Sequence, residues 1–235
     1  MSVIRAPVVF SALLLSMRPF YSEPKEFIVA SFATSTQDQD PNVKTNIFVA
    51  CRALDKYVLA PGAVFSFNDV VGEATEKGGY MNGRVMYRDE IRYEIGGGLC
   101  QVSSTLFNAL LRAGCSIVER HRHFRPVTYV PAGLDATIKY GQKDLRMKNT
   151  NPYPITIETE VTGSSLSIRI SAPKAADITY EMSTDEETVD VALGQEQERI
   201  RGGLNVLVYR IRMKGDKVLG NQLLYRDYYP PVYDR

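Results

Sequence analysis

The fold of this chain is decided by the stretch Gly96-Gly97-Gly98-Leu99-Cys100-Gln101-Val102-Ser103-Ser104-Thr105-Leu106. In this stretch three glycines run directly into a cysteine. Beyond the cysteine, Val102, Leu106 and Leu110 recur every four positions, which predicts an amphipathic helix with one buried face. Gly114 stands where a glycine would end that helix. Cys100 is therefore expected in the first helical turn.

A cysteine in that position is a candidate nucleophile. The free N–H groups and the positive end of the helix dipole stabilise a thiolate, and can lower a thiol pKa from roughly 8.5. The glycines would let backbone or a substrate approach the sulfur closely. The alternative is an inert packing cysteine, since free cysteine is among the most buried residue types.

Four residues around Cys100 are candidates for holding a substrate or an oxyanion. Gly98 and Gln101 flank the cysteine at the predicted helix start, where main-chain N–H groups are free. Ser103 and Ser104 follow within one turn, and their hydroxyls could bind substrate or simply the helix end.

Length and composition fit a globular chain of ordinary make-up. The chain has 235 residues, of which 44% are hydrophobic and 23% charged, so it can bury one sizeable core and a small second module. With a net charge of +1, the chain lacks the excess of basic residues that is typical of nucleic-acid-binding proteins. The three cysteines form no disulfide framework, and Cys51 and Cys115 fit packing roles.

The pattern of elements predicts an α+β fold. Asp40-Pro41 predicts the start of a first helix running to about Lys56, and the cysteine helix comes second. Between the two helices, residues 64–68 predict a strand. Period-two alternation after the second helix predicts strands over 117–120, 127–130, 136–140 and 144–148 and a hairpin over residues 155–170. We divide the chain into an N-terminal segment at 1–24, a main domain at 25–172 and a small all-β module at 173–235. Residues 1–24 fit either a strand or a targeting segment, because hydropathy does not separate the two.

Both histidines of the chain follow the cysteine helix closely. His121 and His123 have the spacing that places two side chains on one face of a strand. A cysteine at a helix start, a histidine on a following strand and an acid beyond it predict a papain- or transglutaminase-like arrangement, with the helix-borne cysteine packed on an antiparallel sheet. Asp135 is the candidate acid. Either histidine could be the base that takes the thiol proton.

Two other interpretations of the histidines stay open. Together with Cys100, His121 and His123 could supply three zinc ligands, although structural zinc sites usually carry cysteines in tight pairs and no C-x-x-C occurs here. They could also be plain hydrogen-bonding residues on a basic strand. Asp135 could merely stabilise a turn.

Several stretches resemble one bacterial family in the order that the family has them. The stretches are Ala60–Asn68, Gly96–Asn108, Glu119–His123, Pro126–Pro131 and Gly133–Thr137. On these motifs the chain resembles the VanW family of bacterial cell-envelope proteins. The tail also resembles a small β module that often follows this domain.

The resemblance implies a function and assigns the candidate residues. Some members of the family are understood to act as L,D-transpeptidases with a cysteine nucleophile, which corresponds to Cys100 here. The family pattern favours His123 over His121 as the base, while the catalytic role of Asp135 is an inference from geometry.

The implied partners are peptidoglycan stem peptides, and no cofactor or metal is implied. An extracytoplasmic, cell-envelope location is expected, with membrane anchoring through an N-terminal segment as an open question. A cysteine peptidase or amidase acting on the same stems, and a non-catalytic peptidoglycan-binding module, are the alternatives.

Overall fold

The fold is dominated by antiparallel strands. The computed structural model describes residues 26–87, 90–189 and 199–233, and within them it has fourteen strands, three α-helices and one short 3-10 helix. The strands form five separate antiparallel sheets. The sequence segment 1–24 lies outside the described residues. Among those described, no helix is both long enough and apolar enough to cross a membrane.

The main sheet has four strands. Their order across the sheet is β1 (Phe27–Ser35), β9 (Ser165–Ala172), β8 (Ile155–Val161) and β2 (Tyr57–Leu59). The hairpin predicted over residues 155–170 is confirmed as β8 and β9, which pair in antiparallel register. Because β1 pairs with β9, the start of the described chain forms one edge strand of this sheet.

Two long helices pack against the main sheet and against each other. The first, α1 (Pro41–Leu54), begins as predicted: the Asp40 carboxylate accepts a hydrogen bond of 2.9 Å from the N–H of Val43. The second, α3 (Leu99–Arg112), carries the cysteine and contacts β1 and β9. Its sequence predicts one buried face, yet only Cys100 and Arg112 keep partial exposure.

Of the three glycines before α3, Gly97 allows a close approach between backbones and Gly98 allows a left-handed backbone. A Cβ on Gly97 would lie 2.6 Å from the main chain of Gly83. Gly83 belongs to the hairpin of β4 (Asn82–Tyr87) and β5 (Glu90–Ile95). Gly98, at the N-cap of α3, has a φ of +107°, a value that L side chains rarely adopt. The close approach that the β4–β5 hairpin makes is therefore to Gly97, whereas the sequence predicted an approach to the Cys100 sulfur.

Short elements fill the space around these helices. They are β3 (Val64–Ser66), α2 (Phe67–Val71), the 3-10 helix (Glu76–Gly78), β6 (Ser116–Glu119) and β7 (Arg146–Lys148). Strands β3, β7 and β6 form a three-stranded sheet. The strand expected through Asn68 ends at Ser66, because the Ser66 hydroxyl accepts from the N–H of Asp69 and starts α2.

The last third of the described chain is all strand. A three-stranded sheet contains β10 (Thr179–Val189), β12 (Gly203–Lys214) and β13 (Lys217–Tyr229), and β11 (Arg199–Arg201) pairs with β14 (Val232–Tyr233). This sheet shares a second apolar core with the loop after β6, made of Val130, Leu134, Val206, Val208 and Tyr229. The domain boundary near residue 173 falls between β9 and β10 and stays a prediction.

The structure corrects the predicted fold class. The papain- or transglutaminase-like arrangement needs a strand carrying the histidine, but β6 ends at Glu119 and the segment 120–145 holds only the isolated bridge Lys139–Lys143. The fold is instead a set of antiparallel sheets with few helices.

The physical reason is that side chains donate hydrogen bonds to the main-chain carbonyls of this segment. The carbonyls of Gly133 and Asp135 accept from Arg120, and the carbonyl of Leu134 accepts from Asn108. These groups are therefore satisfied without a strand partner.

Candidate active site

Cys100 is the second residue of α3 and stays partly exposed. Its Sγ lies 3.5 Å from the hydroxyl of Thr137 and 3.7 Å from the carbonyl oxygen of Ile138. Both partners belong to the irregular segment that follows β6. The thiol is thus held between the helix start and this segment.

His123 links the thiol to a carboxylate. Its ring lies within hydrogen-bond reach of the Cys100 thiol. Its Nδ1 lies 2.5 Å from Oδ2 of Asp135, and its main-chain N–H donates to the same oxygen at 2.6 Å. Because Nδ1 is bound to the carboxylate, Nε2 is the nitrogen left for the sulfur. This order of thiol, imidazole and carboxylate fixes the ring's orientation and its tautomer.

Asp135 is fully buried, and both of its carboxylate oxygens accept hydrogen bonds. Its second oxygen, Oδ1, accepts from Arg120 at 2.9 Å and from the hydroxyl of Tyr229 at 2.7 Å. The Arg120 side chain is only 6% exposed, so this is a buried ion pair with both partners hydrogen-bonded. The carboxylate can therefore stay charged away from water.

The charges of these three groups favour a thiolate and an imidazolium. Burial alone raises the pKa of Cys100, but the hydrogen bond and positive charge of His123 outweigh it, so the pKa of the thiol is lowered. Burial alone lowers the pKa of His123, while its bonds to Asp135 and Cys100 raise it to about 9. Burial opposes ionisation of Asp135, yet the bond from His123 and the charge of Arg120 lower its pKa to about 2.

His121 lies outside this arrangement. Its Nε2 is 2.9 Å from a carboxylate oxygen of Glu119, and that oxygen also accepts from the N–H of Asp144. Both histidines lie beyond the end of β6 and bind different acids, so they do not form the common strand face that their spacing suggested. Of the two, the structure brings His123 to the thiol.

Ser103 and Ser104 are buried and bind the protein itself. Both hydroxyls donate to the carbonyl of Ala136, at 2.6 Å and 3.3 Å, and the Ser104 hydroxyl accepts from the N–H of Ala136 at 2.9 Å. The carbonyl of Cys100 is a second acceptor within reach of each hydroxyl proton. They fasten the Asp135 segment to α3 and are not placed to touch a substrate.

Gln101 and Gly98 form the start of α3. The Gln101 side chain is buried and donates to Thr34 and to the carbonyl of Ser35, while its main-chain N–H donates to Gly98 O at 2.9 Å. The N–H of Leu99 donates to Gly96 O. Within the part of the chain that the structure describes, the N–H of Cys100 has no acceptor, so it is the first-turn donor open to an oxyanion.

Sequence reasoning missed four contributors to the site. They are Arg120, Tyr129, Thr137 and Tyr229. Tyr129 packs edge-on to the His123 ring at 6.5 Å between centroids. Arg120 and Thr137 stand inside the Glu119–His123 and Gly133–Thr137 motifs, so their motif positions were the available signal. Tyr229 is nearly a hundred residues from Asp135 along the chain, and no local pattern links the two.

Metal binding finds no support in the geometry. Across residues 26–87, 90–189 and 199–233, no group of three or more His, Cys, Asp or Glu side chains is placed to hold a metal ion. The separate partners of His121 and His123 explain why the alternative set of zinc ligands is not assembled among the described residues.

Together these observations define a class: a strand-rich protein with a cysteine at a helix start, next to a buried and hydrogen-bonded histidine–aspartate pair. The family model described as "VanW like protein" matches residues 42–171, more than half of the chain. The chain belongs to this VanW-like family, as its motifs indicated. The matched region contains the cysteine, the histidine and the aspartate.

Two curated relatives each match about 60% of the chain. An uncharacterized protein, YoaR, of Bacillus subtilis strain 168 is 40% identical over 142 residues, which cover 60% of this chain and 47% of that protein. The vancomycin B-type resistance protein VanW of Enterococcus faecalis strain V583 is 27% identical over 143 residues, which cover 59% of this chain and 52% of that protein. The chain spans about half the length of these relatives. No solved structure matches it significantly.

Proposed function

We propose that this protein is a cysteine acyltransferase of the bacterial cell envelope, an L,D-transpeptidase that joins peptidoglycan stems between their third residues. The observation that carries the proposal is the order Cys100, His123 and Asp135, with Cys100 a partly exposed residue at a helix start. Membership of the VanW-like family, and a relative named for vancomycin resistance, support a cell-wall substrate.

In the first half-reaction the Cys100 thiolate attacks the carbonyl carbon of the third stem residue. A carbon–sulfur bond forms and the bond from that carbon to the nitrogen of the terminal D-alanine breaks. The His123 imidazolium gives its proton to the departing amine. The N–H of Cys100 donates to the oxyanion, since it has no acceptor among the described residues.

In the second half-reaction the side-chain amine of a neighbouring stem attacks the thioester. A carbon–nitrogen bond forms, the carbon–sulfur bond breaks, and sulfur leaves as the thiolate. Neutral His123 takes the proton of the incoming amine and is restored to the imidazolium. Asp135 holds the ring in one orientation through both steps, because it binds both Nδ1 and the main-chain N–H of His123.

The test is mass spectrometry of the protein incubated with disaccharide-tetrapeptide. We expect dimers lighter by one D-alanine and a transient acyl adduct on Cys100. The Cys100→Ala variant should give neither product, because the nucleophile is gone. Cys51→Ala is the matched control, since Cys51 is a buried core residue and its loss leaves the site unchanged.

The other products identify the alternatives. Tripeptide without dimers would show that water is the acceptor, as in a peptidase or amidase. Binding without an acyl adduct or any product would overturn the enzymatic proposal in favour of a peptidoglycan-binding module. Dimers formed equally by Cys100→Ala would rule out the assigned nucleophile.

A further inference from the structure

Strand β13, in the all-strand last third of the chain, reaches into the site. Three of its side chains, Tyr225, Asp227 and Tyr229, contact the groups that surround Asp135. They lie outside residues 42–171, the part that the family model matches. The all-β module predicted from the sequence therefore contributes side chains to the surroundings of Asp135.

The Tyr229 hydroxyl bridges two points of the Asp135 segment. It donates to Oδ1 of Asp135 at 2.7 Å and accepts from the N–H of Gly133 at 3.0 Å. Tyr229 is fully buried, so water does not compete for either bond. The hydroxyl thus fixes the carboxylate relative to its own main chain.

Arg120 carries the second connection. Its Nη2 binds Asp135 and its Nη1 lies 2.5 Å from a carboxylate oxygen of Asp227. Its guanidinium stacks over the ring of Tyr225 at 4.9 Å, and the Tyr225 hydroxyl donates to Gly133 O at 2.7 Å. Arg120 is therefore held from β13 on its far side while it holds Asp135 on its near side.

We infer that β13 is a positioning element for the candidate catalytic pair, with Tyr229 setting the Asp135 carboxylate so that Oδ2 faces Nδ1 of His123. The inference rests on the proposed function for its purpose, but its geometry concerns only these protein groups. Tyr229 contacts Asp135 and not the thiol or the imidazole, so it acts through the carboxylate. It is a positioning residue.

If the Tyr229 hydroxyl is removed, a positioning role and a purely electrostatic role predict opposite shifts of the Cys100 pKa. Removing a hydrogen-bond donor makes a carboxylate more basic, which by charge alone would strengthen its hold on the imidazolium and lower the thiol pKa. If the hydroxyl instead fixes the geometry, its loss lets the carboxylate turn away from Nδ1. The imidazolium is then less stable and the thiol pKa rises.

Among the described residues, six charged or titratable groups other than Tyr229 surround the Cys100–His123 pair. They are Asp135, Arg120, Arg122, Tyr129, Tyr225 and Asp227. All of them remain in a Tyr229→Phe variant, so a change in the pH profile is traced to the one hydroxyl.

The test measures the iodoacetamide alkylation rate of Cys100 against pH in the full chain, between about pH 5 and pH 9. For Tyr229→Phe we expect the midpoint to rise by about one pH unit, which is an approximately tenfold slower rate below the midpoint. Tyr228→Phe is the matched control, because Tyr228 is the neighbouring tyrosine and is 41% exposed. It should keep the wild-type profile.

A second variant covers the case in which Tyr229→Phe does not fold. Tyr225→Phe removes the hydroxyl that donates to Gly133 O, and it should shift the midpoint in the same direction. Circular dichroism and peptide mapping of the alkylated cysteine accompany each profile.

The outcomes separate this inference from the proposed function. A wild-type profile with an ordinary cysteine midpoint, near 8.5, would overturn the nucleophile assignment. A low wild-type midpoint that is unchanged or lowered in the folded variants would overturn the positioning role alone. A raised midpoint in the folded variants, with Tyr228→Phe unchanged, supports the positioning role whatever the substrate proves to be.

Discussion

At the scale of single residues, the site depends on keeping Asp135 charged inside the protein. A buried carboxylate is costly unless donors satisfy it. Asp135 accepts from Arg120, Tyr229 and both the ring and the main chain of His123. Four donors therefore replace the water that the carboxylate loses, and removing a single one leaves a buried charge under-satisfied.

The first prediction concerns acid stability. The pKa of Asp135 is lowered to about 2 in the folded protein, against roughly 3.9 in an unfolded chain. A depressed carboxylate pKa stabilises the fold above the unfolded value, and this stabilisation is lost as the pH falls through the folded value. We expect ionised Asp135 to contribute about 2 kcal/mol above about pH 4 and to lose it towards pH 2.

The measurement is the urea unfolding free energy of wild type and of Asp135→Asn across this pH range. The other carboxyl groups titrate in both proteins, while only wild type carries the Asp135 carboxyl. The advantage of wild type over Asp135→Asn should therefore shrink as the pH falls. Parallel loss of stability in the two proteins would contradict the assigned pKa.

The site residues differ in how far they could be predicted from the local sequence. Cys100 was predictable, because a cysteine opening a periodic helix is a short-range pattern. His123 was favoured only through the family motif, since residue spacing does not separate it from His121. The partners of Asp135 on β13 were not predictable, because a contact across nearly a hundred residues of chain depends on tertiary packing alone.

At the scale of elements, α3 is positioned by a glycine-to-glycine contact. A Cβ on Gly97 would meet the main chain of Gly83 at 2.6 Å and the carbonyl of Arg84 at 2.9 Å. Main-chain atoms do not move aside as a flexible side chain can. The β4–β5 hairpin and the start of α3 therefore require glycine at this position.

The second prediction is that Gly97→Ala destabilises the protein by about 1–3 kcal/mol, the usual cost of overpacking. Chemical denaturation followed by circular dichroism measures the change. Gly163→Ala is the matched control, because a Cβ there meets nothing within 4 Å and its φ is not positive. A Gly97→Ala protein as stable as Gly163→Ala would show that the hairpin is not held against α3.

Helices and strands were predicted correctly where the local sequence pattern matched the regular backbone that forms there. The Asp40 cap, the β8–β9 hairpin and α3 with its ending glycine all have local signals, and all are confirmed. The strands predicted over 127–130 and 136–140 were wrong. Alternating apolar residues there pack against other elements while side chains bind the backbone, so the period-two pattern arose without a sheet.

At the scale of the whole molecule, the second core joins distant parts of the chain. Val130 and Leu134 come from the segment that holds Asp135, whereas Val206, Val208 and Tyr229 come from the last sheet. A Cβ on Gly133 would meet Val208 at 2.7 Å, so the two parts are packed without spare room. The last sheet is therefore expected to unfold together with the site.

The third prediction follows from that shared core. Val208→Ala should lower stability by about 2 kcal/mol, the loss of two buried carbon groups. Because unfolding is expected to be cooperative, the variant should also lower the urea midpoint at which Cys51, in α1, becomes open to alkylation. Val218→Ala is the control, since Val218 is 57% exposed. An unchanged Cys51 midpoint would show that the last sheet unfolds independently.

The burial of two cysteines out of three has a practical consequence. Burial raises the pKa of both Cys51 and Cys115 to about 12, so neither ionises near neutral pH while the fold is intact. The chain has three cysteines, and Cys100 alone combines partial exposure with a lowered pKa. An electrophilic dye would therefore label one sulfur per folded molecule, and the number of dyes per chain would report directly how much of a preparation is native.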